Sequence, residues 1–387
     1  MANRPKEHDT KVLTIADLAI EAQKRLPPVT TLTKVPATSS RTQSHNSPLC
    51  LTHTNRLILS LKDNEAAYNR YKLLPRVLRD VETLDTSTTI FGKKVKFPLG
   101  FAPAAAHKLA HADGEVGTSR AAAAHDIPMC LSSWATTGID DVIAQGTGNP
   151  YAMQVSFFKD VEITRRIIQK AEKAGYKALF VSVDLPVLGN RLNESRNNFN
   201  FPSDMRFPVL AEGIDEMGLK DSYERGYDGT IRWDKTIAWL RQNTKLEIWL
   251  KGVYSPEDIQ LAIDHKIDGV IISNHGGRQL DGVPATLDAL RICAPVAKGK
   301  IPLAVDGGIR RGADVFKAIA LGASMCFVGR IPIWGLAYNG EKGVDLAVKI
   351  LYDEFCRTMK LAGCRTIADI TPEHLAILET NGLLAKL

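Results

Sequence analysis

The segment Ser273-Asn274-His275-Gly276-Gly277-Arg278-Gln279 sets an imidazole three residues before a guanidinium. A neutral imidazole can take a proton, and a guanidinium can hold a carboxylate through paired N–H donors, so the pair suits acid–base chemistry on an anionic substrate. A lone His is more often structural than catalytic, and its neighbours in the fold must decide. Arg191 offers a second guanidinium for a planar carboxylate, with a solvated surface ion pair as the competing reading for each Arg taken singly. Two further segments, Asp306-Gly307-Gly308-Ile309-Arg310-Arg311-Gly312 and Gly329-Arg330, put backbone N–H groups beside Arg just ahead of helical patterns. Donors and positive potential at a helix start suit a phosphate.

These residues need a frame. Short apolar runs at 97–102, 127–132, 151–155, 178–183, 247–251, 269–273, 302–305 and 325–328 alternate with helical patterns, the mark of repeated βα units and a parallel sheet. Eight such runs predict a closed α/β fold, a (β/α)8 TIM barrel, whose active site lies where the strands end. Those ends carry Ala104, Ser132-Ser133-Trp134, Gln154, Ser182 with Asp184, Lys251, Ser273-Asn274-His275, Asp306-Gly307-Gly308 and Gly329-Arg330. Turn chemistry alone gathers Ser, Asn, Asp and Gly at strand ends, but it does not explain Gln154, Lys251 or His275 directly after apolar runs. The two Gly-Arg segments follow strands seven and eight, the usual phosphate position of such barrels. Only the fourth run lacks a prompt helix; the polar connection 189–232 is read as a long lid loop over the barrel mouth.

The spacing divides the chain into an N-terminal extension (1–96), the barrel (97–371) and a C-terminal tail (372–387). A helix is predicted over 14–26, with Leu18, Ile20, Ala22 and Leu26 as its apolar positions and Pro27-Pro28 as its stop, serving as a lid or an end cap. Residues 29–59 are rich in Thr and Ser and hold no Gly, Tyr or acidic side chain, an atypical stretch read as a poorly ordered loop. With 44% hydrophobic and 24% charged residues, disorder throughout is excluded. The net charge of +6 suits an anionic ligand, although a modest excess of Lys gives the same total. Six cysteines without a C-x-x-C pair or secretory signal read as reduced thiols. No apolar run approaches the ~20 residues of a membrane span. No nucleic acid, membrane or metal is expected as a partner. The ending Ala385-Lys386-Leu387 is close to the S-K-L address, giving a peroxisomal or cytoplasmic location.

Four segments together carry a resemblance: Ser273-Asn274-His275-Gly276-Gly277-Arg278-Gln279-Leu280-Asp281, Leu131-Ser132-Ser133-Trp134-Ala135, Asp306-Gly307-Gly308-Ile309-Arg310-Arg311-Gly312 and Pro75-Arg76-Val77-Leu78. From about residue 61 to 371 the chain resembles the FMN-dependent 2-hydroxy-acid oxidase family, which includes glycolate and lactate oxidases. The resemblance implies oxidation of an L-2-hydroxy acid to the 2-oxo acid. His275 would take the hydroxyl proton while electrons reach flavin N5, as a hydride or by way of a carbanion. Asp184 would orient His275; Arg278 and Arg191 would clamp the carboxylate; Trp134 and residue 156 would line the substrate pocket. Lys251 would sit where negative charge gathers on the reduced flavin. Ser132, Gln154 and Ser182 would bind the isoalloxazine edge, and Ala102 and Ala104 would approach it through backbone. Arg310, Gly329 and Arg330 would hold the phosphate, and Ser273, Asp306, Gly307 and Gly308 complete the cofactor set. Oxygen as electron acceptor and a homo-oligomer, by likeness a tetramer, are also implied.

The chain departs from that pattern twice. Ser156 stands where the family has a Tyr, and the stretch 29–59 bears no likeness to the family's Tyr-containing segment before residue 61. The cofactor site is left whole, while the substrate wall loses phenols. Two other readings therefore stand beside an active oxidase or dehydrogenase: an FMN barrel with altered substrate or reduced turnover, and a different FMN barrel activity such as an isomerase. The His275–Arg278 pair with Arg191 argues against the isomerase.

Overall fold

Eight short parallel strands, β1 (Leu99–Phe101), β2 (Met129–Leu131), β3 (Tyr151–Val155), β4 (Ala178–Ser182), β5 (Glu247–Val253), β6 (Gly269–Ile272), β7 (Leu303–Asp306) and β8 (Met325–Val328), close into a barrel in the computed structural model. Residues 8–26, 59–191, 199–210, 226–379 and 382–386 are described. β8 closes on β1 with Cys326 opposite Leu99 and Val328 opposite Phe101. All eight predicted strands are present, in the predicted order. Their ends shift by up to two residues: Gln154 lies within β3, and β5 continues past Lys251 to Val253, so neither residue directly follows its strand.

Alternation along each strand decides what the barrel encloses. Ala102, Cys130, Ala152, Phe180, Trp249, Ile271, Ala304 and Phe327 form an apolar layer inside it. One side-chain period is two residues, so the next inward position on each strand is two residues on. Those positions are Ala104, Ser132, Gln154, Ser182, Lys251, Ser273, Asp306 and Gly329, a polar and small layer stacked on the apolar one. Close packing below has its own demands: a Cβ on Gly269 would lie 2.4 Å from the Trp249 ring.

A hairpin of Thr88–Ile90 and Lys93–Val95 fills the barrel beneath the apolar layer. Its turn residues Phe91 and Gly92 both have positive φ, 50° and 67°, the twist that two-residue hairpins require. Phe91 meets Trp249 edge to face at 5.5 Å and Phe180 at 5.9 Å. This hairpin is the end cap, a task the sequence pattern offered to the N-terminal helix.

That helix spans Ile15–Gln23, shorter than the predicted 14–26, with Thr14 and Asp17 forming a reciprocal cap. It lies along the helical stretch Arg330–Ala362, two helices broken at Asn339 and Gly340, where His8 Nε2 and Asp353 Oδ2 are 2.6 Å apart and Tyr338 donates to Asp9 at 3.0 Å. Its buried stripe is Ile15, Leu18, Ala19 and Ala22. Ile20, expected on the apolar face, is 45% exposed because it falls two residues, about 200°, around from Leu18. Pro27-Pro28 and almost all of the Thr/Ser-rich stretch lie outside the described residues; from Leu59 the chain enters a helix, Leu59–Arg70.

The tail folds back. Leu375–Leu378 pairs with Tyr71–Leu73 on one side and Leu384–Lys386 on the other, so extension and tail share a three-stranded sheet. Cys130, Cys293, Cys326, Cys356 and Cys364 are free thiols, and Cys50 lies outside the described residues. Among the described residues no helix is long and apolar enough to cross a membrane.

Candidate active site

The polar layer opens into a cavity of about 270 Å³ at the C-terminal ends of the strands. At its wall, His275 adopts φ 55°, a left-handed conformation that His tolerates better than most residues but that tertiary contacts must hold. Its backbone N–H donates to Ser273 Oγ at 3.1 Å, and Arg330 donates to the carbonyl of the following Gly276 at 3.0 Å. The ring Nδ1 lies 3.2 and 3.1 Å from Asp184 Oδ1 and Oδ2. Nε2 is thereby left as the nitrogen available to the cavity, with Nδ1 carrying the proton.

Burial pulls the His275 imidazole below its usual range, helped by the cations Lys251 and Arg191 and opposed by Asp184. The ring is therefore neutral near pH 7 and ready to accept a proton. Burial also disfavours the Asp184 carboxylate, but His275 and Lys251 outweigh it and hold the carboxyl low. Lys251 is buried, which disfavours its ammonium, yet Asp306 and Asp184 more than compensate and raise it. Its Nζ donates to Ser273 Oγ at 2.9 Å and lies 3.3 Å from Asp306 Oδ2. Ser273 does not line the cavity. Its hydroxyl ties Lys251 to the His275 backbone, a bracing role beside the cofactor contact expected of it.

Across the mouth, the Gln154 carbonyl accepts from Ser133 N–H at 3.0 Å and Ser133 Oγ at 3.1 Å, which turns its amide N–H₂ toward Ser156 Oγ (3.0 Å) and Ser182 Oγ (3.2 Å). Ser133 was absent from the predicted site, although it stands in the quoted Ser-Ser-Trp motif. Ala102, Ala104, Ser132, Gln154, Ser156, Ser182, Lys251 and Asp306 all line the cavity, as do Trp134, Arg191 and Arg278. Asp184 touches it only through His275.

Gly307, Gly308, Arg310, Gly329 and Arg330 line the opposite end. The two glycines have φ of 95° and 81°, and a Cβ on Gly308 would lie 2.0 Å from the Asn64 carbonyl. Close approach of the Leu59–Arg70 helix is thus a second reason for Gly-Gly. That helix braces the site: Asn64 and Asn274 exchange amide hydrogen bonds of 2.8 and 2.9 Å, and Ser60 Oγ donates to Asp281 at 2.7 Å. Arg310 is partly engaged by Glu65 at 2.5 Å and stacks over Trp334. Arg330 forms no ion pair among the described residues. Burial, with Arg310 and Arg278 nearby, pushes it down to about 9.

Two more cavity residues come from the long connection after β4. Phe201 stacks parallel to Trp134 at 6.3 Å, and Tyr227, 5% exposed, lies beside Arg191 and Trp134. Both support the lid reading, and parts of the connection, 192–198 and 211–225, lie outside the described residues. A polar loop without periodicity gave no signal that would select these two aromatics.

A model of the FMN-dependent dehydrogenase family matches residues 53–377. The chain belongs to that family. It is 52% identical over 331 residues to Oxidase FUB9 of Fusarium oxysporum, covering 84% of this chain and 86% of the relative. Glycolate oxidase of Spinacia oleracea is 42% identical over 325 residues, covering 82% and 87%. Among solved structures, mandelate oxidase with benzoyl-formic acid superposes with a TM-score of 0.80 at 30% identity, covering 97% of this chain and 100% of that one.

Membership makes this an FMN-dependent 2-hydroxy-acid oxidase or dehydrogenase. The residues present fit FMN on two observations. Arg330 is an enclosed guanidinium whose ionisation is disfavoured, a state that a phosphate would relieve. Asp306 Oδ1 is buried without a hydrogen-bond partner among the described residues, and the polyol chain of FMN carries hydroxyl donors. Within an FMN-dependent dehydrogenase, Arg330 and the Gly329 N–H would hold the phosphate, with those Arg310 donors not taken by Glu65. Lys251 and the Gln154–Ser132–Ser182 group would face the ring.

Proposed function

We propose that the chain oxidises an L-2-hydroxy acid larger than glycolate, with His275 as proton acceptor and Arg191 and Arg278 as the carboxylate clamp. The observation that carries this is the His275–Asp184 pair at 3.1 and 3.2 Å on the wall of the cavity that Arg191 and Arg278 also line. Bound FMN supplies the two-electron acceptor. His275 Nε2 takes the proton of the 2-hydroxyl, and Asp184 stabilises the imidazolium that results while keeping Nδ1 protonated. Lys251, a buried cation, favours negative charge developing on the acceptor side. The two guanidiniums fix the carboxylate, which sets the hydroxyl against His275 and excludes neutral alcohols.

Ser156 supports the larger substrate. It is 2% exposed, its hydroxyl is occupied by Gln154, and it is far shorter than the phenol of the family pattern, so the wall recedes. Apolar substrate atoms gain about 25 cal/mol per Å² buried, which favours a long or aromatic chain there. The solved mandelate oxidases bound to benzoyl-formic acid and (S)-4-hydroxymandelic acid support an aromatic acid. The test compares kcat/KM for glycolate, 2-hydroxyoctanoate and mandelate in the natural protein and in Ser156→Tyr. The natural protein should prefer the larger acids, and the variant should shift toward glycolate. Preference for glycolate in the natural protein would reject the reading.

Relatives named oxidases support oxygen as the electron acceptor, to be checked by oxygen uptake during turnover. Ala385-Lys386-Leu387 supports a peroxisomal address, checked by placing a fluorescent protein ahead of the chain. A tetramer is the proposed assembly, checked by light scattering.

A further inference from the structure

Tyr227 enters the cavity from the long connection that also carries Arg191 and Phe201, and its backbone is fixed. Tyr227 and Phe158 form an isolated antiparallel bridge, flanked by Lys159 N–H to Gly226 O at 2.8 Å and Asp228 N–H to Phe157 O at 2.9 Å. The Tyr227 and Phe158 rings stack at 5.6 Å and 22°. The connection is therefore fastened to the chain just beyond Ser156, and the phenol has a defined position in the wall.

The side chains that act on the ionisation of that phenol are all donors. Burial keeps it protonated by raising its ionisation above the usual range, while Arg191, the Trp134 indole and Arg278 act in the opposite sense. An indole N–H is only a donor, and so is a guanidinium; a phenol can accept from them and still donate its own proton. A cavity edge with two guanidiniums and a protonated phenol suits an anionic acceptor with several lone pairs, which a carboxylate provides.

We propose that Tyr227 is a substrate-binding residue whose hydroxyl donates to the substrate carboxylate held by Arg191 and Arg278. This rests on the reading of the site as one for a 2-hydroxy acid. The phenol that Ser156 cannot supply from the end of β3 is supplied from the connection, which pairs with the chain just beyond it at Phe157–Lys159. It makes discrimination for acids over neutral analogues depend on a lid residue.

The experiment uses the FMN-loaded enzyme and ligands that do not turn over. Benzoylformate and its uncharged amide are titrated against the flavin absorbance of the natural protein and of Tyr227→Phe, with FMN content and thermal stability recorded for both. Loss of a hydrogen bond to a charged group is worth ~10- to 100-fold in affinity. The variant should bind benzoylformate at least ~10-fold more weakly, bind the amide as before, and keep its FMN, since the Phe ring preserves the stack on Phe158. Equal weakening of acid and amide would make Tyr227 a wall residue and overturn the assignment, as would unchanged binding of the acid. A natural protein that binds neither ligand would overturn the 2-hydroxy-acid reading itself, and this assignment with it.

Discussion

His275 must be neutral to accept a proton, so the pH dependence of the reaction follows from what surrounds its ring. Burial, Lys251 and Arg191 lower its ionisation and Asp184 opposes them, with a net downward shift. Activity that requires the neutral form is full above that lowered pKa and falls as pH drops through it. We therefore expect kcat/KM to stay level at neutral pH and to decline on an acid limb centred below 6.5, the ordinary value for His. Asp184→Asn removes the opposing charge, so it should move that limb lower still and reduce the rate. His275→Gln should keep flavin bound while slowing anaerobic flavin reduction by at least ~10²-fold. A limb centred at or above 6.5, or an unchanged reduction rate in the Gln variant, would show that the ring is not the base.

Among the elements, two loops shape the cavity, and one carboxylate joins them. Glu115, on the helix Gly114–Ala124, is fully buried. It accepts from the His107 N–H at 3.0 Å in the loop after β1 and from the Thr136 N–H at 2.8 Å in the loop after β2. The hydroxyls of Thr136 and Thr137 add bonds of 2.8 and 2.7 Å to its other oxygen. These loops carry Ala104 and Trp134, which both line the cavity. Glu115→Gln turns the oxygen facing the Thr136 and Thr137 hydroxyls into an N–H₂ and removes the charge, so both hydroxyls lose a charged acceptor, a loss of about 1–3 kcal/mol. We expect that loss of stability in denaturant unfolding, with weaker FMN retention and an unchanged acid limb in the pH profile. A variant as stable as the natural protein would show that the loops hold without the carboxylate.

For the molecule as a whole, the charge balance of the barrel mouth bears on how strongly FMN would stabilise the fold. Arg330 forms no ion pair among the described residues, and Arg310 and Arg278 lie near it while Glu65 and Asp306 only partly offset them, so a phosphate ligand there would relieve repulsion as well as add contacts. A ligand that binds only the folded state stabilises it by RT ln(1 + [L]/Kd), about 2.7 kcal/mol at a hundredfold excess over Kd. FMN added to the apoprotein should raise the melting temperature well beyond the effect of equimolar riboflavin, which lacks the phosphate. In Arg330→Ala the two should become nearly equivalent. A full FMN advantage in that variant would move the phosphate site elsewhere.

Periodicity and local chemistry made the barrel readable from sequence. A parallel strand buried on both faces has to be an apolar run, and a barrel places its chemistry at the strand ends, so Gln154, Lys251, His275 and the Gly-Arg loops stand out from the pattern alone. Alternation carried further information, since the inward residue two places beyond each member of the apolar layer is a member of the site layer. Other features depend on contacts across long stretches of sequence and leave no local pattern. Ser273 sits at a strand end like its neighbours, yet only packing brings the Lys251 ammonium and the His275 N–H onto its hydroxyl. Gly308 resembles a phosphate loop, and only the approach of Asn64 reveals its second duty. Phe91 and Gly92 cap the barrel because the tertiary structure brings their hairpin under Trp249 and Phe180. Tyr227 lies in a polar connection with no periodicity, and pairing with Phe158 alone delivers its phenol to the cavity. Sequence determined which side chains each strand could present, because the backbone repeat is local; tertiary structure decided which distant side chains completed the site, because chain closure is not.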